Sequence, residues 1–355
     1  MTPSHTPPTT GGATGMSRGP RDTSASRGNG THRPFRYGRR MLWGDVRVRR
    51  GVLGLMTGAA AASLALLPWA VTGMRLPLQN LWADPAASPS TMPVALLPFS
   101  QYHVALIAAL VLVGSAAAAV AVRLLGPRLA RAGRWSALAG VLLVQWVALL
   151  QTTVVTEAGL RNDSGHGAVL RGGADASELY LTALVVGTAA ATALGVAVFV
   201  ALTSASAPAA LVALAVAAIA LGSWCNGLVV GVAGVGDETT TTLVRGTRWL
   251  PAVALGLGIA ASRLRTLGSV IGATVAVVVV WVGTAAVTAV SSALGSRVML
   301  ARPHELADYG VEVFRAALRP AGDGLTLAAA AAAIGLVGAA LAAVVLRRRP
   351  APDPA

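Results

Sequence analysis

Eight apolar runs, each followed by a charge cluster whose sign alternates along the chain, constrain this sequence more than any other feature. A block of about 20 apolar residues matches the length an α-helix needs to cross a bilayer core. Bilayer hydrocarbon offers no hydrogen bonds, so a spanning segment must satisfy its own backbone, and a helix does that within one segment. A β-barrel would need short alternating segments instead, and these are missing. The reading is all-α: a polytopic helical membrane protein with about eight transmembrane helices.

Composition agrees. Of 355 residues, 55% are hydrophobic and 12% are charged, roughly half the charge of a soluble domain. The net charge is +14, and every basic residue is Arg. Such a charge often signals a nucleic-acid partner. Here it sits in one polar N-terminal segment and in short loops, so no nucleic acid is expected. The single Cys225 excludes an intramolecular disulfide and a cysteine-based metal cluster.

The expected spans are Val52–Thr72, Val104–Leu125, Ser136–Thr156, Leu179–Thr203, Ala209–Val232, Trp249–Ser262, Val270–Leu294 and Leu325–Leu346. The sixth is short and holds Pro251, so residues 249–262 either span or re-enter. It is separated from the seventh because Arg263 and Arg265 would otherwise lie mid-bilayer, at a cost of several kcal/mol. Residues 1–50 read as a disordered basic region, with Met16 and Met41 as further candidate starts. Residues 51–347 read as the transmembrane domain and 348–355 as a short tail.

Arginine bias orients the chain. One side carries nineteen Arg and three acids: residues 1–50, the loop with Arg123, Arg128, Arg131 and Arg134, the Arg263–Arg265 turn and the C-terminal tail. The other side carries nine Arg and eleven acids. The Arg-rich side is expected to be cytoplasmic, with both termini inside, in a bacterial plasma membrane. External loops then fall at about 73–103, 157–178, 234–248 and 295–324. The first is rich in proline and reads as irregular. In the fourth, Leu306, Val313, Phe314, Ala317 and Leu318 share one face of a short amphipathic helix, either on the outer leaflet or over the mouth of the bundle.

No Asp, Glu or His falls in the middle of an expected span. Ion-coupled pumps and intramembrane metalloenzymes place ionisable groups at depth. The zinc-protease HExxH and the phosphate-binding GxxxxGK[ST] are also missing. No catalytic residue, cofactor or metal is therefore assigned. Polar groups do fall within spans, among them Gln145, Gln151, Thr152, Thr153 and Thr156 in the third and Asn226 in the fifth. Gln145, Thr152 and Thr156 are spaced by seven and four, close to one helix face. They either bond neighbouring helices, at about 0.6 kcal/mol each, or line a cavity for a solute. External acids form a weaker candidate: Glu157, Asp175 and Glu178 flank the third and fourth spans, and Asp237 and Glu238 follow the fifth. Glycine pairs at Gly54/Gly58, Gly227/Gly231 and Gly268/Gly272 favour tight helix packing and a possible homo-oligomer or membrane-protein partner. The outward-running helices each carry one tryptophan, Trp69, Trp146, Trp224 and Trp281, as an interfacial belt or the trace of a duplication.

Three functions remain: a permease for a small neutral or amphipathic solute or a lipid; a non-catalytic membrane partner in envelope assembly; and a surface transferase using external carboxylates on a lipid-linked substrate.

Overall fold

The structure, a computed structural model, describes residues 37–76, 92–163, 173–204, 206–234, 238–296, 302–320 and 322–347. Of the region 1–50 expected to be disordered, residues 1–36 lie outside them and 37–50 begin a helix; the tail 348–355, residues 77–91 of the first expected external loop and Asp237 also lie outside. The described residues are all-helical: α1 (Tyr37–Ala65), α2 (Leu67–Ala70), α3 (Val104–Leu125), α4 (Ala130–Asp163), α5 (Gly173–Ser204), α6 (Ala207–Ala233), α7 (Glu238–Thr247), α8 (Leu250–Ser262), α9 (Leu267–Gly295), α10 (Pro303–Ala317) and α11 (Asp323–Arg347).

Among the described residues six helices are long and apolar enough to cross a membrane: Gln101–Leu125, Arg131–Gly159, Glu178–Thr203, Ala207–Ala233, Leu267–Gly295 and Asp323–Val345. They indicate a multi-pass membrane protein. Their outward faces remain apolar, as at Leu336, Val337 and Leu341 of α11, each about 60% exposed. Water would penalise such a surface and lipid does not.

The first and sixth expected spans are built differently. The first is broken: α1 ends at Ala65, and α2 restarts at Leu67 with Pro68 in its first turn. The sixth is α8, whose 13 residues rise only about 20 Å. Proline at its start cannot donate a backbone hydrogen bond, which marks the break between α7 and α8. As the arginines suggested, the chain turns between α8 and α9. Arg263 and Leu264 both adopt positive φ, at 58° and 45°. The Thr266 hydroxyl then accepts the Ser269 N–H at 3.1 Å and caps α9.

Helix α6 joins two packed groups. Its Ala213, Ala217 and Ala220 enter a core with α1, α3, α4 and α5. Leu211 and Ala215 of the same helix enter a second core with α8, α9 and α11. The α8–α11 contact is reciprocal: Ile334 packs on Gly256, and Ile259 packs on Gly335. Helix α10 packs against α9, with the predicted apolar residues Leu306, Val313, Phe314, Ala317 and Leu318 half-buried and Asp308, Glu312 and Arg315 exposed.

Each glycine pair finds its partner within this chain. Gly54 lies on the Gly133 backbone and Gly58 on the Ala137 backbone, while Gly140 of α4 lies on Leu55. The two helices thus run parallel in near-backbone contact. Gly231 packs on Pro68 and Val71, and Gly272 on Pro208. A Cβ at Gly58 would meet rigid backbone. Gly58→Ala is therefore expected to lower stability by about 2 kcal/mol or more, read by denaturant unfolding in detergent. Gly187, on the exposed face of α5, meets nothing within 4 Å. Gly187→Ala is expected to raise stability by up to about 1 kcal/mol, through helix propensity alone.

Candidate functional site

The buried polar residues of α4 converge at the end of the bundle opposite the Arg123–Arg134 turn. Here the chain does something the helical pattern does not announce. Residues 92–100 lie as a non-helical strap against the helix ends, paired like a strand around Val94 and bent at Leu96 and Leu97. Pro98 is buried and Val94 is 46% exposed, while Ala95, Leu97 and Phe99 are at most 1% exposed. They build a third core with Trp69, Leu76, Ile107, Leu110, Ala148, Leu149 and Leu184.

A non-helical segment buried among helices has backbone groups to satisfy on both of its edges. One edge pairs with the chain after α2. The Ala95 N–H donates to the Met74 carbonyl at 3.0 Å, and the Leu76 N–H donates to the Pro93 carbonyl at 3.0 Å. The Trp69 indole N–H donates to the Ala95 carbonyl at 2.7 Å. The other edge has no strand beside it. There the Gln151 carboxamide takes the place of a neighbouring peptide group: Oε1 accepts the Leu96 N–H at 2.9 Å, and Nε2 donates to the Val94 carbonyl at 2.9 Å. The Thr152 hydroxyl accepts the Leu97 N–H at 2.9 Å. At the far end, the Tyr180 hydroxyl accepts the Gln101 N–H at 3.1 Å.

The rest of the stripe faces inward. Thr152 and Thr156 are buried, and the Thr156 hydroxyl donates to the Thr152 carbonyl at 2.7 Å. Gln145, 7% exposed, donates from Nε2 to the Val111 carbonyl at 2.9 Å and to the Ser115 hydroxyl at 3.2 Å on α3. Its Oε1 is buried without a hydrogen-bond partner. Gln145 also borders a void of about 10 Å³ lined by Ala62, Leu66, Leu97, Leu110, Val111, Val144 and Ala148. That volume is close to one water.

Asn226 stands apart, on the exposed side of α6. Its neighbour Trp224 reaches inward, and its indole N–H donates to the Ala65 carbonyl at 2.7 Å, where α1 breaks. Two of the four tryptophans thus serve backbone carbonyls near the interruption between α1 and α2. Trp146 is 46% exposed, and the Trp281 indole N–H is buried without a partner.

Among the described residues the acids expected to be external do not gather in one cluster. Glu157 is half-buried near the end of α4, while Glu178 and Glu238 are exposed. Asp175 lies in the first turn of α5, and Asp237 lies outside the described residues. Among the described residues no three His, Cys, Asp or Glu side chains gather as a metal site would require.

Sequence reasoning did not single out residues 92–100, Tyr180 or Ser115. A signal was present: the unbroken apolar run Val94–Leu97 between Pro93 and Pro98 is out of place if fully solvated.

Removing the Gln151 amide would leave the Leu96 N–H without an acceptor, at about 1–3 kcal/mol. Gln151→Leu is expected to speed amide exchange at Leu96 tenfold or more, read by hydrogen–deuterium exchange. Gln151→Glu, which keeps the acceptor, is expected to show a smaller effect.

No family model, no curated protein and no solved structure matches this chain.

Proposed function

We propose that this protein is a non-catalytic multi-pass membrane partner that presents its loop-bearing face to other envelope components. The observation that carries this reading is the use made of the α4 polar stripe. Gln151 and Thr152 hold the 92–100 strap in place, and Gln145 holds α3. The void beside Gln145, about 10 Å³, is far below the roughly 300 Å³ or more of a small-molecule site. A well-latched face with amphipathic α10 beside it suits recognition of another protein. In this reading the Arg-rich end faces the cytoplasm of a bacterial cell. In the same reading the α1–α2 and α7–α8 pairs add two crossings to the six long helices, for eight in all with both termini inside.

The test compares two kinds of change at equal protein level. Charge reversal on α10, Asp308→Arg with Glu312→Arg, is expected to abolish cross-linking to the partner and the associated phenotype. Gln145→Leu is expected to leave both intact. The opposite pattern would sink the proposal.

A second reading rests on the buried, unpartnered Gln145 Oε1 beside the void. It makes the strap a plug that must leave before a neutral or amphipathic solute passes between α3 and α4. It expects solute flux in reconstituted vesicles that rises with Gln151→Leu and falls with Gln145→Leu.

A further inference from the structure

At the opposite end of the bundle, the turn between α3 and α4 borders a second cavity. Helix α3 ends where Gly126 takes a positive φ of 44°. A single 3-10 turn, Gly126–Arg128, follows, and α4 starts at Ala130. The reversal leaves an open cleft of about 340 Å³, lined by Val122, Arg123, Gly126, Leu129, Arg131, Arg134 and Thr203. Three guanidinium groups border one space with no carboxylate among its lining residues.

Among the described residues no ion pair or hydrogen bond holds the side chains of these arginines. Among the described residues none of the three has an acidic partner, and the salt bridges lie elsewhere, at Arg248–Asp323 and Arg302–Glu305. Arg123 and Arg131 are exposed. Arg134 is half-buried, its guanidinium 5.3 Å from the Trp135 ring centroid, and its Nε is buried without a hydrogen-bond partner. Burying a guanidinium N–H unpaired carries a desolvation cost, which an anion in the cleft would offset. Thr203, whose hydroxyl donates to the Phe199 carbonyl at 2.7 Å, lines the cleft from the end of α5. The first turn of α4 supplies the positive end of a helix dipole.

We propose that this cleft binds a phosphate group. Three forked donors around one space suit tetrahedral, multiply charged oxygens better than a planar carboxylate. The location favours delivery by a lipid. The cleft sits where two long apolar helices meet their polar turn, at headgroup level, and basic pockets between membrane helices suit anionic headgroups. Free phosphate shares the chemistry, and the experiment separates the two. The inference stands on this cleft alone and is independent of the role proposed for the opposite face.

The full chain, purified in detergent, is incubated with phosphatidylglycerol or phosphatidylcholine, and retained lipid is counted by native mass spectrometry. The wild type is expected to retain phosphatidylglycerol selectively. Arg123→Gln/Arg131→Gln/Arg134→Gln is expected to lose that selectivity, at about fivefold per arginine removed. Arg263→Gln/Arg265→Gln, a control at the same end of the bundle, is expected to keep it. Titration with inorganic phosphate then identifies the source: failure to displace the lipid at millimolar concentration assigns a headgroup site, and displacement in the wild type alone assigns a free-phosphate site. If the triple variant loses helical circular dichroism, the exposed Arg131→Gln alone decides, with an expected loss of about fivefold. Equal retention by wild type and the folded variant, or equal loss in the control pair, overturns the proposal.

Discussion

A peptide group buried away from water must find a partner inside the protein, and most of this architecture follows from that demand. Helices meet it for most of the chain. Where the helical pattern fails, between α1 and α2 and along residues 92–100, side chains supply what the backbone lacks. Gln151 acts as a substitute peptide, Thr152 and Tyr180 as single acceptors, and Trp69 and Trp224 as single donors. Four polar side chains from α2, α4 and α5 thereby hold the non-helical strap and the turn after it, and Trp224 of α6 serves the break after α1.

Close packing makes that arrangement possible. With Gly54, Gly58 and Gly140 at their contact, α1 and α4 approach until backbone meets backbone, which fixes α4 and so the position of Gln151. Alanine does similar work on α6, whose two faces serve two cores. Dispersion and shape hold such helices together in lipid, because bilayer tails remove the apolar-burial term that assembles soluble bundles. The two ends of the bundle are then chemically opposite. One is latched by neutral hydrogen bonds, and the other carries unpaired guanidinium groups around an open cleft.

Much of this was legible beforehand, and the reasons are local. The turn at Arg263 and Arg265 was predictable because charge in hydrocarbon costs more than a tight turn. The apolar face of α10 follows from its 3.6-residue period. The spacing of Gln145, Thr152 and Thr156 marked them as a common face, and all three are buried. What they bond was not legible. Their partners lie 30 to 55 residues away in the chain for Gln145 and Thr152, and periodicity carries no information across such a gap. The glycine pairs were equally incomplete as signals: spacing marks a surface for close approach but not which helix approaches it.

The sequence by itself determined the solvent of this protein and the helical form of its long segments. Both follow from hydropathy and backbone satisfaction, which act residue by residue. Tertiary structure decided that the first apolar run breaks at Leu66, that an irregular loop becomes a buried strap, and that three arginines on the α3–α4 turn border one cavity. Each of these depends on which surfaces meet in three dimensions. That is set by shape and by hydrogen-bond complementarity between segments far apart in the chain.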